Sequence, residues 1–265
     1  MHIIACIKQT PKTESIQINP ETGCLVRAGT AGELNPFDVH ALEAAVLLKE
    51  QMDGRVSAVT MGPQSAQEVL REGIARGADA VFHLCDASFA GADTYATSYA
   101  LARGIEKISA QTPVDMIICG AQSTDGDTGN VGAQVAAWLG YPYAGSVKKI
   151  TCVTEKYIEV QCKADGGKVN IRLPLPCVIS VLKEIASPRV RSVKGRLLAK
   201  TAAVTTWTAT DIQADPSKIG LGGSPTRVVK TFAPERSETA ASIGGTDPCE
   251  KARSLVALLK ENNLI

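Results

Sequence analysis

The stretch with the clearest chemical content runs from Ser123 to Gly132, STDGDTGNVG, between the apolar run MIICG and the apolar-periodic segment AQVAAWLG. A small, polar, glycine-rich turn opening a helix presents successive backbone N–H groups, and those donors and the helix dipole together favour an anion. Gly126, Thr128, Gly129, Asn130 and Val131 are placed to supply them. Asp125 and Asp127 oppose a phosphate if their carboxylates face it, and they fit equally a plain N-terminal cap worth about 1 kcal/mol. Both readings, phosphate cradle and capped helix start, stand on these residues alone.

The elements that must position this turn follow from periodicity. HIIACIK reads as a buried strand, and SIQINPETGCLVR as a hairpin turning at Asn19 to Gly23. NPFDVHALEAAVLLKEQ carries Ala41, Leu42, Ala45, Val46 and Leu48 on one helical face, with Pro36 near its start and Asn35 or Asp38 as a cap. VSAVTMG, SAQEVLREGIARG, AVFHLC, TYATSYALARGIEKI, VDMIICG and VGAQVAAWLG then alternate strand and helix. This order predicts an α/β fold with a doubly wound, mostly parallel sheet. From about Ala144, VKKITCV, YIEVQCKA, KVNIRLPLP and CVISVLKE predict an antiparallel extension of that sheet, with a turn at Asp165 to Gly167. The polar stretch from Thr201 to Thr246 is too poor in apolar residues to predict a core. It leads to an amphipathic terminal helix with Ala252, Leu255, Val256 and Leu259 on one face. The expected division is a nucleotide-binding domain over 1–200 and a C-terminal arm over 201–265 that either wraps another subunit or folds back on its own domain.

In an open parallel sheet, ligands bind beyond the carboxyl ends of the strands, at the switch in strand order. Cys6 to Lys8, Thr60 to Pro63, Cys85 to Thr94 and Gly120 to Gly132 occupy those ends, and glycine at three of the four suits close backbone approach. The aspartates also allow a metal reading, but Asp86 and Asp93 are the only other strand-end acids and His83 falls inside a strand. With 265 residues and a formal charge of +1, the chain can bury a full core and carries no electrostatic footprint for nucleic acid or an anionic membrane. No apolar run reaches the roughly 20 residues of a spanning helix and the N-terminus lacks a signal-peptide pattern, so the expected location is the cytoplasm. Eight scattered cysteines without a CxxC pair read as reduced, packed thiols, and the three histidines as packing or surface residues. GxSxG, HExxH, Walker and GxGxxG patterns are absent.

Seven stretches in order resemble the beta subunit of electron transfer flavoproteins over essentially the whole chain: CIKQTP, NPFDVHALEAAVLLKE, MGPQSAQEVLREGIARGAD, GAQSTDGDTGNVG, SPRVRSVKG, GLGGSPTRVVKTF and LVALLKENNLI. The resemblance implies a heterodimer with an FAD-carrying alpha subunit, and an adenine nucleotide on this chain: FAD in bifurcating members, AMP in mammalian-type ones. The implied site comprises Cys6, Asn35, Pro36, Phe37, Asp38, Met61, Gly62, Ala121, Gln122, Ser123, Thr124 and the cradle from Asp125 through Gly132. FAGADTYATSYALA, 89–102, resembles bifurcating members further and implies FAD, with Thr94 and Thr97 near its ring. In that version NADH is the electron donor. Ferredoxin or flavodoxin, and the alpha-subunit FAD serving an acyl-CoA dehydrogenase, are the two acceptors; no residue acts as a general acid or base. SPRVRSVKG is then the loop that docks on the dehydrogenase, through Pro188, Arg189, Val193 and Lys194. The family's basic and acidic positions flanking Asp165 to Gly167 are Cys162 and Val169 here, which leaves in question the contacts of this strand pair with the alpha subunit or its flavin.

Overall fold

The computed structural model describes residues 1–12, 17–18, 25–26, 32–229 and 242–265. β1 (His2–Cys6) leads through β2 (Gln9–Pro11), β3 (Gln17–Ile18), β4 (Leu25–Val26) and β5 (Gly32–Leu34) to α1 (Pro36–Met52). Next come β6 (Arg55–Met61), α2 (Gln67–Arg76), β7 (Ala80–Leu84), α3 (Thr94–Gln111), β8 (Met116–Gly120) and α4 (Val131–Leu139). They are followed by β9 (Tyr143–Val153), β10 (Tyr157–Ala164), β11 (Gly167–Pro174), β12 (Cys177–Val181), α5 (Val193–Thr201), β13 (Thr205–Trp207) and α6 (Pro248–Glu261). The chain divides into two compact units, 1–229 and 230–265.

Nine strands form one sheet in the order β11, β10, β9, β12, β8, β1, β6, β7, β13. The chain winds outward from β1 through β6 to β7, then returns to place β8 on the other side of β1. The switch in strand order therefore falls between β1 and β8, whose last register pair is Cys6 with Cys119. Ile3, Ala5, Ala58, Val81 and Ile118 pack on the side of α1 and α2, whereas Ile4, Val59, Phe82, Leu84 and Ile117 pack on the side of α3 and α4. The expected α/β, doubly wound, mostly parallel sheet is the observed one. β3 and β4 pair antiparallel as the expected hairpin, whose turn at 19–23 lies outside the described residues.

Two local expectations change. β12, read as part of the antiparallel extension, is a parallel strand inside the sheet, between β8 and β9. All five of its residues are buried, and a continuous apolar run is what a strand covered on both faces requires. Only β10 runs antiparallel to both its neighbours. The polar stretch beginning at Thr201 also contributes to the core, because β13 extends the sheet beside β7 and buries Trp207 against Phe82 at 4.9 Å between ring centroids, while Ile212 and Ile219 are buried further along. Three strand residues are too few for periodicity to mark. Among the described residues no helix is long and apolar enough to cross a membrane.

If the 202–229 segment is structural in this way, Trp207→Ala removes a buried indole and costs about 3 to 5 kcal/mol. Urea unfolding is expected to show a lower midpoint, and an unchanged midpoint would mean the segment is a loose tail.

Candidate functional site

Three strand ends and two helix starts meet at the switch point. Asn35, Pro36, Phe37 and Asp38 open α1, Cys6 ends β1, Met61 ends β6 with Gly62 after it, and residues 121–132 connect β8 to α4. Asp38 joins them. Its side chain is buried, and its Oδ2 accepts from the Lys8 N–H at 2.8 Å. Its Oδ1 lies close against Gly120, so one carboxyl group connects α1 with the ends of both central strands. Gly120 must be glycine for this approach, since a Cβ there would lie 2.3 Å from Asp38 Oδ1. Burial pushes Asp38 up from its ordinary 3.8 to about 7, against the opposing hydrogen bonds from Asn35, Lys8 and Gly120 and the Lys8 charge.

Asn35, buried at the helix start, braces the loop instead of capping its own helix. Its Nδ2 donates to Gln122 O at 2.9 Å, and its Oδ1 accepts from the Thr124 N–H at 3.3 Å. Inside the loop the Asp127 N–H donates to Ser123 O, and Gln122 Nε2 donates to the Asp127 carboxylate. Lys8 Nζ pairs with Asp125 at 2.6 Å and reaches Ser123 Oγ at 3.3 Å. Neither aspartate caps α4, so the capping alternative does not describe this helix: its N-cap is Asn130, with no side-chain cap hydrogen bond.

The consequence is an open row of donors. Among the described residues no backbone carbonyl and no N-cap side chain of α4 accepts from the N–H groups of Gly126, Thr128, Gly129, Asn130, Val131 and Gly132. Asp127 and Gly129 adopt positive φ, 51° and 65°, which folds the loop back over the strand end. By contrast, the N-terminus of α3 is occupied by its own cap, because Asp93 Oδ1 accepts from Tyr95 and Ala96 N–H while Oδ2 holds Thr226. An anion therefore fits α4 and not α3. Thr94 and Thr97 lie half-buried in the first turn of α3, which packs along α4 through Tyr95, Tyr99 and Trp138. Cys6, below the cradle, shares a thiol hydrogen bond with Cys119, and that bond and burial push its pKa well above the ordinary range. It stays a neutral thiol.

The 187–195 segment lies apart from this cluster, on the outer side of α1 and α2. Pro188 is half-buried, and Arg189 is held by α1, its guanidinium donating to Glu43 at 3.0 Å and Glu50 at 2.6 Å. Arg76 donates to Arg189 O at 3.1 Å. Val190, Val193 and Lys194 stay exposed, Val193 at 77 %. Cys162 and Val169 prove to be register partners across β10 and β11, so an apolar pair stands where the resemblance places a basic and an acidic residue. Sequence reasoning left two supporting groups out of the site, Lys8 and the buried Glu43. Lys8 was visible as the first charge after a buried strand; Glu43 looked like any surface acid on an amphipathic helix.

The fold and site define a doubly wound α/β protein with an open, glycine-containing anion cradle at its switch point. A family model described as electron transfer flavoprotein domain matches residues 22–212. Caffeyl-CoA reductase-Etf complex subunit CarD of Acetobacterium woodii is 42 % identical over 266 residues, and electron transfer flavoprotein subunit beta of Thermoanaerobacterium thermosaccharolyticum 39 %, each alignment spanning all of both chains. Protein FixA of Bradyrhizobium diazoefficiens is 39 % identical over 97 % of this chain and 90 % of its own. The chain belongs to the electron transfer flavoprotein family, with its beta subunits, and that membership implies an alpha-subunit partner.

Asp38 makes stability pH-dependent with a definite sign. Its folded pKa of about 7 lies above the ordinary 3.8, so the folded chain keeps a proton that the unfolded chain releases, and its contribution is lost as pH rises through that window. Asp38→Asn is expected to gain on the wild type by on the order of 4 kcal/mol between pH 4 and 8 in nucleotide-free protein. Parallel stability profiles for the two proteins would show that Asp38 does not carry this proton.

Proposed function

We propose that the cradle holds FAD by its adenosine diphosphate end and that the chain serves a flavin-bifurcating electron transfer flavoprotein. The observation that carries this is the row of unpartnered N–H groups from Gly126 to Gly132 at the switch point, a donor set matched to a diphosphate. When bound, FAD supplies the hydride and one-electron chemistry. The chain's own residues bind and orient. Backbone N–H groups and the Thr128 hydroxyl take the diphosphate, while Asn35 and Asp38 hold the loop that presents them. The Lys8–Asp125 pair keeps the loop's acid turned away from the phosphates. Thr94 and Thr97, beside a helix start already neutralised by Asp93, suit an uncharged ring better than a phosphate.

Bifurcation is supported by full-length similarity to a protein named as a subunit of a caffeyl-CoA reductase–Etf complex. In this reading NADH is the donor; a ferredoxin or flavodoxin takes one electron, and the alpha-subunit FAD passes the other to an acyl-CoA dehydrogenase. The 187–195 segment divides its labour: Arg189 clamps it to α1, and exposed Val193 and Lys194 meet the dehydrogenase. The arm that reaches the alpha subunit ends in α6, with Leu255, Val256 and Leu258 exposed. We place the complex in the cytoplasm.

Counting flavin against protein in the purified complex tests the central claim, with two FAD per heterodimer expected. One FAD and one AMP would make this a single-flavin carrier with AMP as a structural group. Within the cradle, Gly129 sits at φ 65° and a Cβ would approach Ala121 O to 3.1 Å, so Gly129→Ala strains and crowds the loop. Equilibrium titration with AMP is expected to show affinity reduced about tenfold, from the roughly 1 to 2 kcal/mol cost of a left-handed alanine.

A further inference from the structure

His83 lies in β7, fully buried, and its register partner on β6 is Thr60. Both side chains lie on the α1 and α2 side of the sheet, two residues beyond Val81 and Ala58 respectively. His83 Nε2 donates to Gly62 O at 3.0 Å, and the Gly62 N–H donates to Leu84 O at 3.1 Å, so β7 grips the first residue after β6 at both of its backbone groups. The donor to a carbonyl must be Nε2–H, which in a neutral ring leaves Nδ1 as an acceptor. That Nδ1 has no hydrogen-bond partner among the described residues, and neither has Thr60 Oγ1. Two unsatisfied polar atoms on directly paired residues of one sheet face are costly alone and complementary to a single water. Burial holds His83 below the ordinary imidazole pKa, consistent with a neutral ring.

We infer that His83 and Thr60 bind one internal water, and that the imidazole so fixed is a positioning residue that braces the Met61–Gly62 turn of the nucleotide site. The water donates to Nδ1 and exchanges a hydrogen bond with the Thr60 hydroxyl. It thereby holds the ring in the tautomer that faces Gly62 O. The role in nucleotide binding rests on the reading of Met61 and Gly62 as a wall of that site; the brace and the water do not.

The test uses the full-length chain with its alpha subunit. A high-resolution crystal structure is expected to show an ordered water within hydrogen-bond distance of His83 Nδ1 and Thr60 Oγ1, and a dry contact there overturns the water. His83→Leu keeps much of the volume without a donor, whereas His83→Gln retains one that can reach Gly62 O. Amide hydrogen exchange at Gly62 to Gln64 in nucleotide-free protein is expected to rise about tenfold in the Leu variant and to be restored largely by Gln. AMP affinity is expected to follow the same order. Equal protection in both variants overturns the brace. Exchange that depends on His83 while AMP affinity does not would remove the positioning role alone. Failure of the wild type to bind AMP or FAD at all would instead refute the nucleotide reading and leave the brace to be judged by exchange.

Discussion

One buried carboxyl group organises this molecule's working end. Asp38 sits at the start of α1, accepts from the Lys8 N–H just past β1, and lies against Gly120 at the end of β8. Parallel strands leave their last N–H groups without ladder partners, and a side-chain acceptor placed there joins two strand ends that would otherwise splay. The group's raised pKa is the energetic signature of this position: burial opposes its charge more strongly than its hydrogen bonds support it.

From that junction the cradle follows by exclusion. Three side chains near the start of α4 that could cap it are engaged elsewhere: Asp125 with Lys8, Asp127 with Gln122, Asn35 with the loop backbone. α3, α5 and α6 all carry their own side-chain caps, through Asp93, Ser192 and Asp247. α1 and α2 also lack a side-chain cap, but only the start of α4 follows the strand beside the switch in strand order, where unpaired donors favour an anion. The two aspartates that seemed to contradict a phosphate are engaged by Lys8 and Gln122.

α1 also couples two regions that the sequence places far apart. Its first turn holds the residues after β1 through Asp38, and about one and three turns further Glu43 and Glu50 hold Arg189 of the 187–195 segment. Glu43 is buried, so deleting Arg189 would strand a charge, a loss of the order of 3 to 5 kcal/mol and far more than an exposed ion pair supplies. A basic loop thus owes its shape to α1 and α2, with Val190 and Val193 left exposed. The expected charged pair of the β10–β11 hairpin is replaced at both positions together, Cys162 against Val169, which keeps a cross-strand neighbour relation without leaving a lone charge.

The alternation of elements, the strand-end location of the site and the glycine-rich loop are all legible in the chain, because periodicity and turn composition are local properties. Buried β12 was recognised as a strand but given the wrong direction, since an apolar run of five residues records burial on both faces and not the sense of its neighbours. β13 and Trp207 escaped because a single sheet edge, formed across more than a hundred residues, supplies their only structural reason. Likewise the residue types of Asp125, Asp127, Arg189 and His83 announce what each can do, whereas partner, burial and tautomer depend on groups brought together by the switch in strand order. By itself the sequence determined the fold class, the family and the place of the loop. Only the tertiary structure decided which carboxylates face the cradle and which helix start stays open, because hydrogen-bond satisfaction is settled between elements and not within them.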